Sequence, residues 1–164
     1  MNPLPSHYRL VFDISREWFR DWWFPAFGLV LVAGSLSFVL YTRRPRTPPL
    51  PKALAVAAWV ALAFASTWTA LFSFVTYREY VTLVRAVNAG AVQFVEGPVE
   101  HFVAMPANGH GVEKFDVQGK HFEYSHNVAT AGFNTTSTRG GPIREGLQVR
   151  IGYVGATIVR LELL

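Results

Sequence analysis

The chain has no cysteine among its 164 residues. That excludes disulfides, cysteine-ligated zinc or iron–sulfur clusters, and a thiol nucleophile. It leaves the compartment open, since proteins on either side of a bacterial membrane manage without cysteine. Charge is scarce too. Asp, Glu, Lys and Arg make up 16% of the chain, where soluble domains carry about 25%. The formal net charge is +4, yet the basic residues are scattered. Their densest cluster, Arg43, Arg44 and Arg46, lies between two apolar runs. Nucleic-acid binding needs a basic face on a folded domain, and none is visible, so no nucleic-acid partner is expected. No cofactor is implied by any residue pattern.

The missing charge is replaced by two uncharged apolar runs, WWFPAFGLVLVAGSLSFVLY at 22–41 and ALAVAAWVALAFASTWTALFSFVTY at 53–77. At about 1.5 Å rise per residue, roughly 20 apolar residues cross a hydrocarbon core about 30 Å thick. Both runs predict transmembrane helices, with the lipid bilayer as partner. Trp18, Trp22, Trp23 and Tyr41 flank the first run, and Tyr77 and Tyr80 follow the second, as aromatic residues do at headgroup level. The connector at 42–52 holds Pro45, Pro48, Pro49 and Pro51, which cannot continue a helix interior, so the spans form a hairpin. The first apolar core is longer than that of a cleaved signal peptide and begins late, so it is expected to be retained.

Ala57, Ala61, Ala65, Thr69 and Ser73 recur every four residues along the second span. Small residues allow close helix approach in lipid. They predict a packing face against Gly28, Gly34 and Ser37 of the first span, or against a membrane partner or a second copy. The tail at 1–21 places Tyr8, Val11, Phe12, Trp18 and Phe19 at helical spacing and predicts an interfacial amphipathic helix. The apolar face continues through Tyr80, Val81, Val84 and Val87, so a helical stalk at 78–90 is expected, capped at Gly90.

From residue 91 the period changes to two. VQFVEGPVEHFVAM, VEKFDV, KHFEYS, LQVRIGYV and IVRLEL read as about five short antiparallel strands, with turns at Gln118–Gly119 and Gly155–Thr157. The fold class expected is membrane α+β. An N-terminal two-helix transmembrane hairpin precedes a small β-barrel or sandwich of OB or SH3-like kind at 91–164. Its predicted core is Phe94, Val99, Phe102, Phe115, Val117, Phe122, Tyr124, Val149, Ile151, Ile158, Val159 and Leu161.

Three of the five histidines fall in GHGVEKFDVQGKHFEYSH at 109–126. Strand alternation puts His121 and Glu123 on one polar face, where His110, or else His101 or His126, would be a third metal ligand. No zinc spacing is matched, and an ordinary solvated hairpin, with Lys114 or Asp116 pairing across it, accounts for the same residues. Ser125 and His126 are neighbours facing opposite ways, with no nucleophile elbow. The loop GFNTTSTRGGPI offers Thr135, Thr136, Ser137, Arg139 and Gly140 as an anion-binding nest.

The order of these pieces resembles small bacterial membrane-anchored β-domain proteins of unknown function. The matching positions are Gly97, Val117, Gly119, Phe122, Gly146, Val149, Ile151 and Tyr153. The resemblance covers roughly the last 75 residues. It implies an architecture, and no activity, cofactor or catalytic residue. Here both spans precede the β-domain, unlike the commonest arrangement in those proteins.

Arg43, Arg44, Arg46 and Lys52 in the connector outnumber Arg9, Arg16 and Arg20 before the first span, and Arg78 and Arg85 after the second. Taken span by span, the positive-inside rule predicts a cytoplasmic connector and a periplasmic β-domain in a bacterial inner membrane; pooling the outer flanks favours the reverse. The functional expectation is a non-enzymatic accessory protein engaging a membrane protein partner or itself. The alternatives are an anion-sensing module and a metal-dependent enzyme built on His121 and Glu123.

Overall fold

A computed structural model describes residues 8–17, 22–45, 47–106 and 111–164. The chain divides into two compact units: Met1–Phe19 with Glu79–Leu164, and Arg20–Arg78.

The Arg20–Arg78 unit contains α1 (Trp23–Thr42) and the larger part of α2 (Lys52–Asn88). The less exposed positions of α1 recur at Gly28, Val32, Ser35, Val39 and Thr42, and those of α2 at Ala58, Leu62, Ala65, Thr69, Phe72 and Thr76. Both series alternate steps of four and three, the spacing of two helices packed at a shallow angle. Gly28 sits so close to Thr69 that an added Cβ would lie 2.5 Å from its side chain. Phe24 meets Phe72 with ring centroids 5.1 Å apart, and the Arg43 guanidinium lies 4.9 Å from the Trp59 ring centroid.

The packing face corrects the expected stripe. Ala65, Thr69 and Ser73 lie on or beside the seam, but Ala57 and Ala61 are exposed, as are Gly34 and Ser37 of α1. A strict four-residue step drifts about 40° around a helix of 3.6 residues per turn, so a five-member series leaves the seam. Outward from it point Phe27, Val30, Val60, Phe64 and Phe74, each more than half exposed. Both helices are long and apolar enough to cross a membrane, and only 11% of each apolar window is buried.

Among the described residues, the second unit holds seven strands in two antiparallel sheets, more than the five expected, and it is not a closed barrel. They are β1 (Arg9–Asp13), β2 (Gln93–Pro98), β3 (Glu100–Val103), β4 (Glu113–Val117), β5 (Lys120–Tyr124), β6 (Gln148–Val154) and β7 (Thr157–Leu163). One sheet runs β1-β7-β6-β2 and the other β3-β4-β5. Gln118 and Gly119 both have positive φ in the β4–β5 turn, the requirement of a two-residue type I′ hairpin.

β1 corrects the helical expectation for the tail. Tyr8, Val11 and Phe12 fit a helix stripe, but so short a window cannot separate the two periods. The open edge of β7 supplies hydrogen-bond partners, and β1 pairs with it from Arg9↔Leu163 to Asp13↔Arg160. Residues 1–7 and 18–21 of that expected segment lie outside the described residues.

The core combines Phe115, Val117 and Phe122 of the smaller sheet with Val149, Ile151, Val159 and Leu161 of the larger, all essentially inaccessible. Phe12, Ile14, Phe133 and Ile143 complete it. Leu83 is buried in the same core, with Tyr80, Val84 and Val87 packed against it, so the last turns of α2 belong to this unit. α2 ends in a Schellman motif. Gly90 has φ +72°, its N–H donates to Val87 O at 3.1 Å, and Ala91 N–H donates to Ala86 O at 2.9 Å. Of the expected core, Phe94 instead lies 47% exposed on the outer sheet face, and Phe102 is only half-buried.

Candidate functional site

The histidine hairpin brings together a different trio from the one expected. β4 and β5 pair in the register Asp116↔His121 and Lys114↔Glu123. His121 Nδ1 lies 2.7 Å from Asp116 Oδ1, and Lys114 Nζ lies 3.7 Å from Glu123 Oε2. The other Asp116 oxygen is 3.0 Å from Nδ1 of His101 on β3. His101 sits in a register shift of the β3–β4 pair with φ +54°. A bulge there re-aims its side chain toward β4. Hydrogen bonds to His121 and then to His101 hold the Asp116 carboxyl below its ordinary value. Both imidazoles remain largely exposed. Among the described residues no three His, Asp or Glu side chains are grouped so as to hold a metal ion, and His110 lies outside those residues. His101 sits fifteen residues from Asp116, with no spacing signal; strand pairing unites them.

The Gly/Thr loop is a plug over the core rather than an open nest. Phe133, Thr136 and Ile143 are buried beneath it. Gly141 is held there because an added Cβ would collide with the Thr135 carbonyl. The carboxylate this loop receives is the chain's own. Glu113, fully buried, accepts from Ser137 N at 3.0 Å, from Ser137 Oγ at 2.7 Å and from the Tyr124 hydroxyl opposite it on β5. Burial, then the bond to Glu113, raises the Tyr124 hydroxyl well above its ordinary value. Thr136 Oγ1 contacts His126 Nδ1 at 2.6 Å, and its carbonyl accepts from Gly141 N at 2.8 Å. Thr135 is half-buried, the Arg139 side chain is exposed, and Gly140, at φ +81°, ends a 3₁₀ turn over Ser137–Arg139. Of the five nest candidates, Thr136 and Ser137 thus fasten the loop to the domain.

The densest charged constellation lies on the outer face of the larger sheet. Register places two rows side by side across all four strands. One reads Leu10, Glu162, Arg150, Glu96; the next reads Asp13, Arg160, Gly152, Phe94. Arg160 Nε donates to Glu162 Oε1, and its Nη1 lies 3.8 Å from Asp13 Oδ2. Arg150 lies 3.6 Å from Glu162 Oε2 and 3.9 Å from Glu96 Oε2. Glu96 also accepts from the Tyr8 hydroxyl at 2.7 Å; that bond, then burial, raises the hydroxyl's pKa. Glu162 is fully buried, and its Oε2 receives no hydrogen bond. A buried carboxylate survives only when cations offset its desolvation, and the two arginines supply that charge.

Above these rows opens a cleft of about 550 Å³. Its lining includes the charged side chains of Arg150, Arg160 and Asp13 and the apolar ones of Val87, Val92 and Phe94. Gly152, buried beside the cleft, leaves room for the Phe94 and Val92 side chains. A Cβ there would come within 3.0 Å of both Phe94 and Val92. Sequence reasoning passed over this face, although Arg160 and Glu162 alternate with Val159 and Leu161 at period two. Only the pairing of four strands reveals that their charges meet.

No protein-family model matches the chain, and neither does any curated protein or solved structure.

Proposed function

We propose that this chain is an integral membrane protein of accessory or adaptor type, whose hairpin is the anchor and whose β-unit is the part that engages a partner. The supporting observation is the division of α2. Along Lys52–Arg78 its apolar residues point away from the fold; along Glu79–Asn88 they point into a packed core. An apolar surface of that extent left in water would drive aggregation, whereas lipid covers it at no such cost.

In this reading the membrane is a bacterial inner membrane, with the basic connector cytoplasmic and the β-unit on the opposite side. With no native cysteine, Thr47→Cys and Arg139→Cys, both at exposed positions, report topology directly. A membrane-impermeant maleimide on intact cells should label Arg139→Cys and spare Thr47→Cys; the opposite pattern refutes the orientation. The adaptor reading predicts that site-specific crosslinks from the β-unit surface form a discrete product, either with another polypeptide or with a second copy. A protein that stays uncrosslinked at every surface position in native membranes contradicts it.

A further inference from the structure

The cleft on the outer face of the larger sheet is built as a receptor for something smaller than a protein. Its volume, about 550 Å³, lies within the roughly 300–1,000 Å³ of small-molecule sites. Every lining residue belongs to the β-unit, so the binding chemistry of the cleft is independent of the membrane reading.

The sign of the ligand follows from which charged groups are both unbonded and exposed. Asp13 spends Oδ1 on the Ser15 N–H, at 2.9 Å, and on the Ser15 hydroxyl. Its Oδ2 faces Arg160. Glu162 gives Oε1 to Arg160, and its Oε2 is sealed from solvent. Glu96 is not among the lining residues. Among the described residues Asp13 Oδ2, 3.8 Å from Arg160 Nη1, makes no hydrogen bond, but Asp13 is only 6% exposed and Glu162 is fully buried, so little carboxylate oxygen faces a cationic ligand.

Arg150 is the opposite case. Its guanidinium carries five N–H donors, lines the cleft, and is 23% exposed. Its two carboxylate neighbours stand at 3.6 and 3.9 Å, beyond hydrogen-bond length. The group lies 4.9 Å from the Phe94 ring centroid, a cation–π contact that helps hold it in place. Arg160, held by Glu162, adds a second guanidinium across Gly152. Beside them Val87, Val92 and Phe94 present an apolar wall.

We propose that this cleft binds a small organic anion, with its carboxylate or phosphate on Arg150 and Arg160 and its apolar body against Val87, Val92 and Phe94. A soluble metabolite and an anionic lipid headgroup share this chemistry. The shape and donors select oxyanion plus apolar body, and exclude an amine of the same shape.

The test uses the full chain in phosphatidylcholine nanodiscs, titrated calorimetrically with phenyl phosphate, phenylacetate and phenethylamine. The two anions should bind and the amine should not. Arg150→Lys keeps a positive charge opposite Glu162 but loses the planar fork. It should weaken phenyl phosphate by about tenfold, the loss of one charge-assisted bond, at an unchanged melting temperature. Val92→Trp, which leaves every charge in place, should abolish binding by filling the cleft. Adding phosphatidic acid to the nanodiscs separates the sources: competition with phenyl phosphate identifies the lipid headgroup, and unchanged affinity identifies the soluble anion. Phenethylamine binding as tightly as phenyl phosphate would overturn the proposal. So would wild-type affinity in both variants, or no binding of either anion by the intact protein.

Discussion

The two ends of α2 are made from the same residue types and obey opposite rules. Near Phe64 and Phe74 the large side chains face outward and the seam is built from Ala58, Ala65 and Thr69. Near Leu83 and Val87 the large side chains face inward and Glu79, Arg85 and Asn88 take the other positions. In water, burying apolar area is the main driving force, so large side chains collect inside, as they do around Leu83. In lipid no such gain exists, and close backbone approach decides the packing; the closeness of Gly28 to Thr69 fits that rule under the membrane reading proposed above. A helix composed this way reports which solvent each of its segments meets.

Paired substitutions test the contrast. The largest effect is expected from Phe115→Ala, which empties the centre of the β-unit and should cost about 3–5 kcal/mol in chemical denaturation. Phe74→Ala, at a side chain 62% exposed in the hairpin, should leave that transition within about 0.5 kcal/mol. Within α2 itself, Leu83→Ala should lower β-unit stability by about 2–4 kcal/mol. Leu71→Ala, at a site 59% exposed, should not move it. Equal losses at Leu71 and Leu83 would erase the distinction between the two segments.

Glu113→Gln keeps the size of the buried side chain but weakens its bonds to Ser137 and Tyr124. About 1–3 kcal/mol of stability and protease resistance between residues 126 and 146 should be lost together. In the hairpin unit, Gly28→Val places a side chain into Thr69 and should open the seam. Gly34→Ala, which meets no atom within 4 Å, should be silent; interhelical crosslinking yield reads both. The smallest effect concerns Asp116. Its folded pKa lies below the ordinary 3.8, so its contribution is present above that value and fades as the pH falls through the folded pKa. Asp116→Asn should flatten the acid limb of the stability profile below about pH 4 and lower stability slightly at neutral pH, where the carboxylate's contribution is fully present.

The parts legible in the sequence were those set by local pattern. Uncharged runs announced both long helices, period two announced β4 to β7, and Gln118–Gly119 announced its turn. What escaped was set by contacts distant in sequence. β1 exists because β7 has an edge to fill. Phe94 faces outward because Gly152 opposite it leaves room for a ring. His101 joins Asp116 through a bulge, and Ser137 reaches Glu113 because a loop rich in Gly and Thr also carries Phe133 and Ile143 as anchors. The charged rows beneath the cleft needed four strands in register before any of their charges became neighbours. The Ala57–Ser73 stripe shows the converse hazard: a regular spacing that the true helical repeat does not preserve.

If α2 is one continuous helix passing from lipid to water, its two segments must differ in access to an aqueous reagent. Single cysteines at Val60 and Arg85, both exposed and both on α2, read that difference in inverted or opened membrane vesicles that give a water-soluble maleimide access to both faces. Arg85→Cys should react readily, while Val60→Cys should stay unreacted until the membrane is dissolved in denaturant. Equal labelling of Val60→Cys in intact membranes would contradict the lipid-to-water passage and would place the apolar hairpin in water.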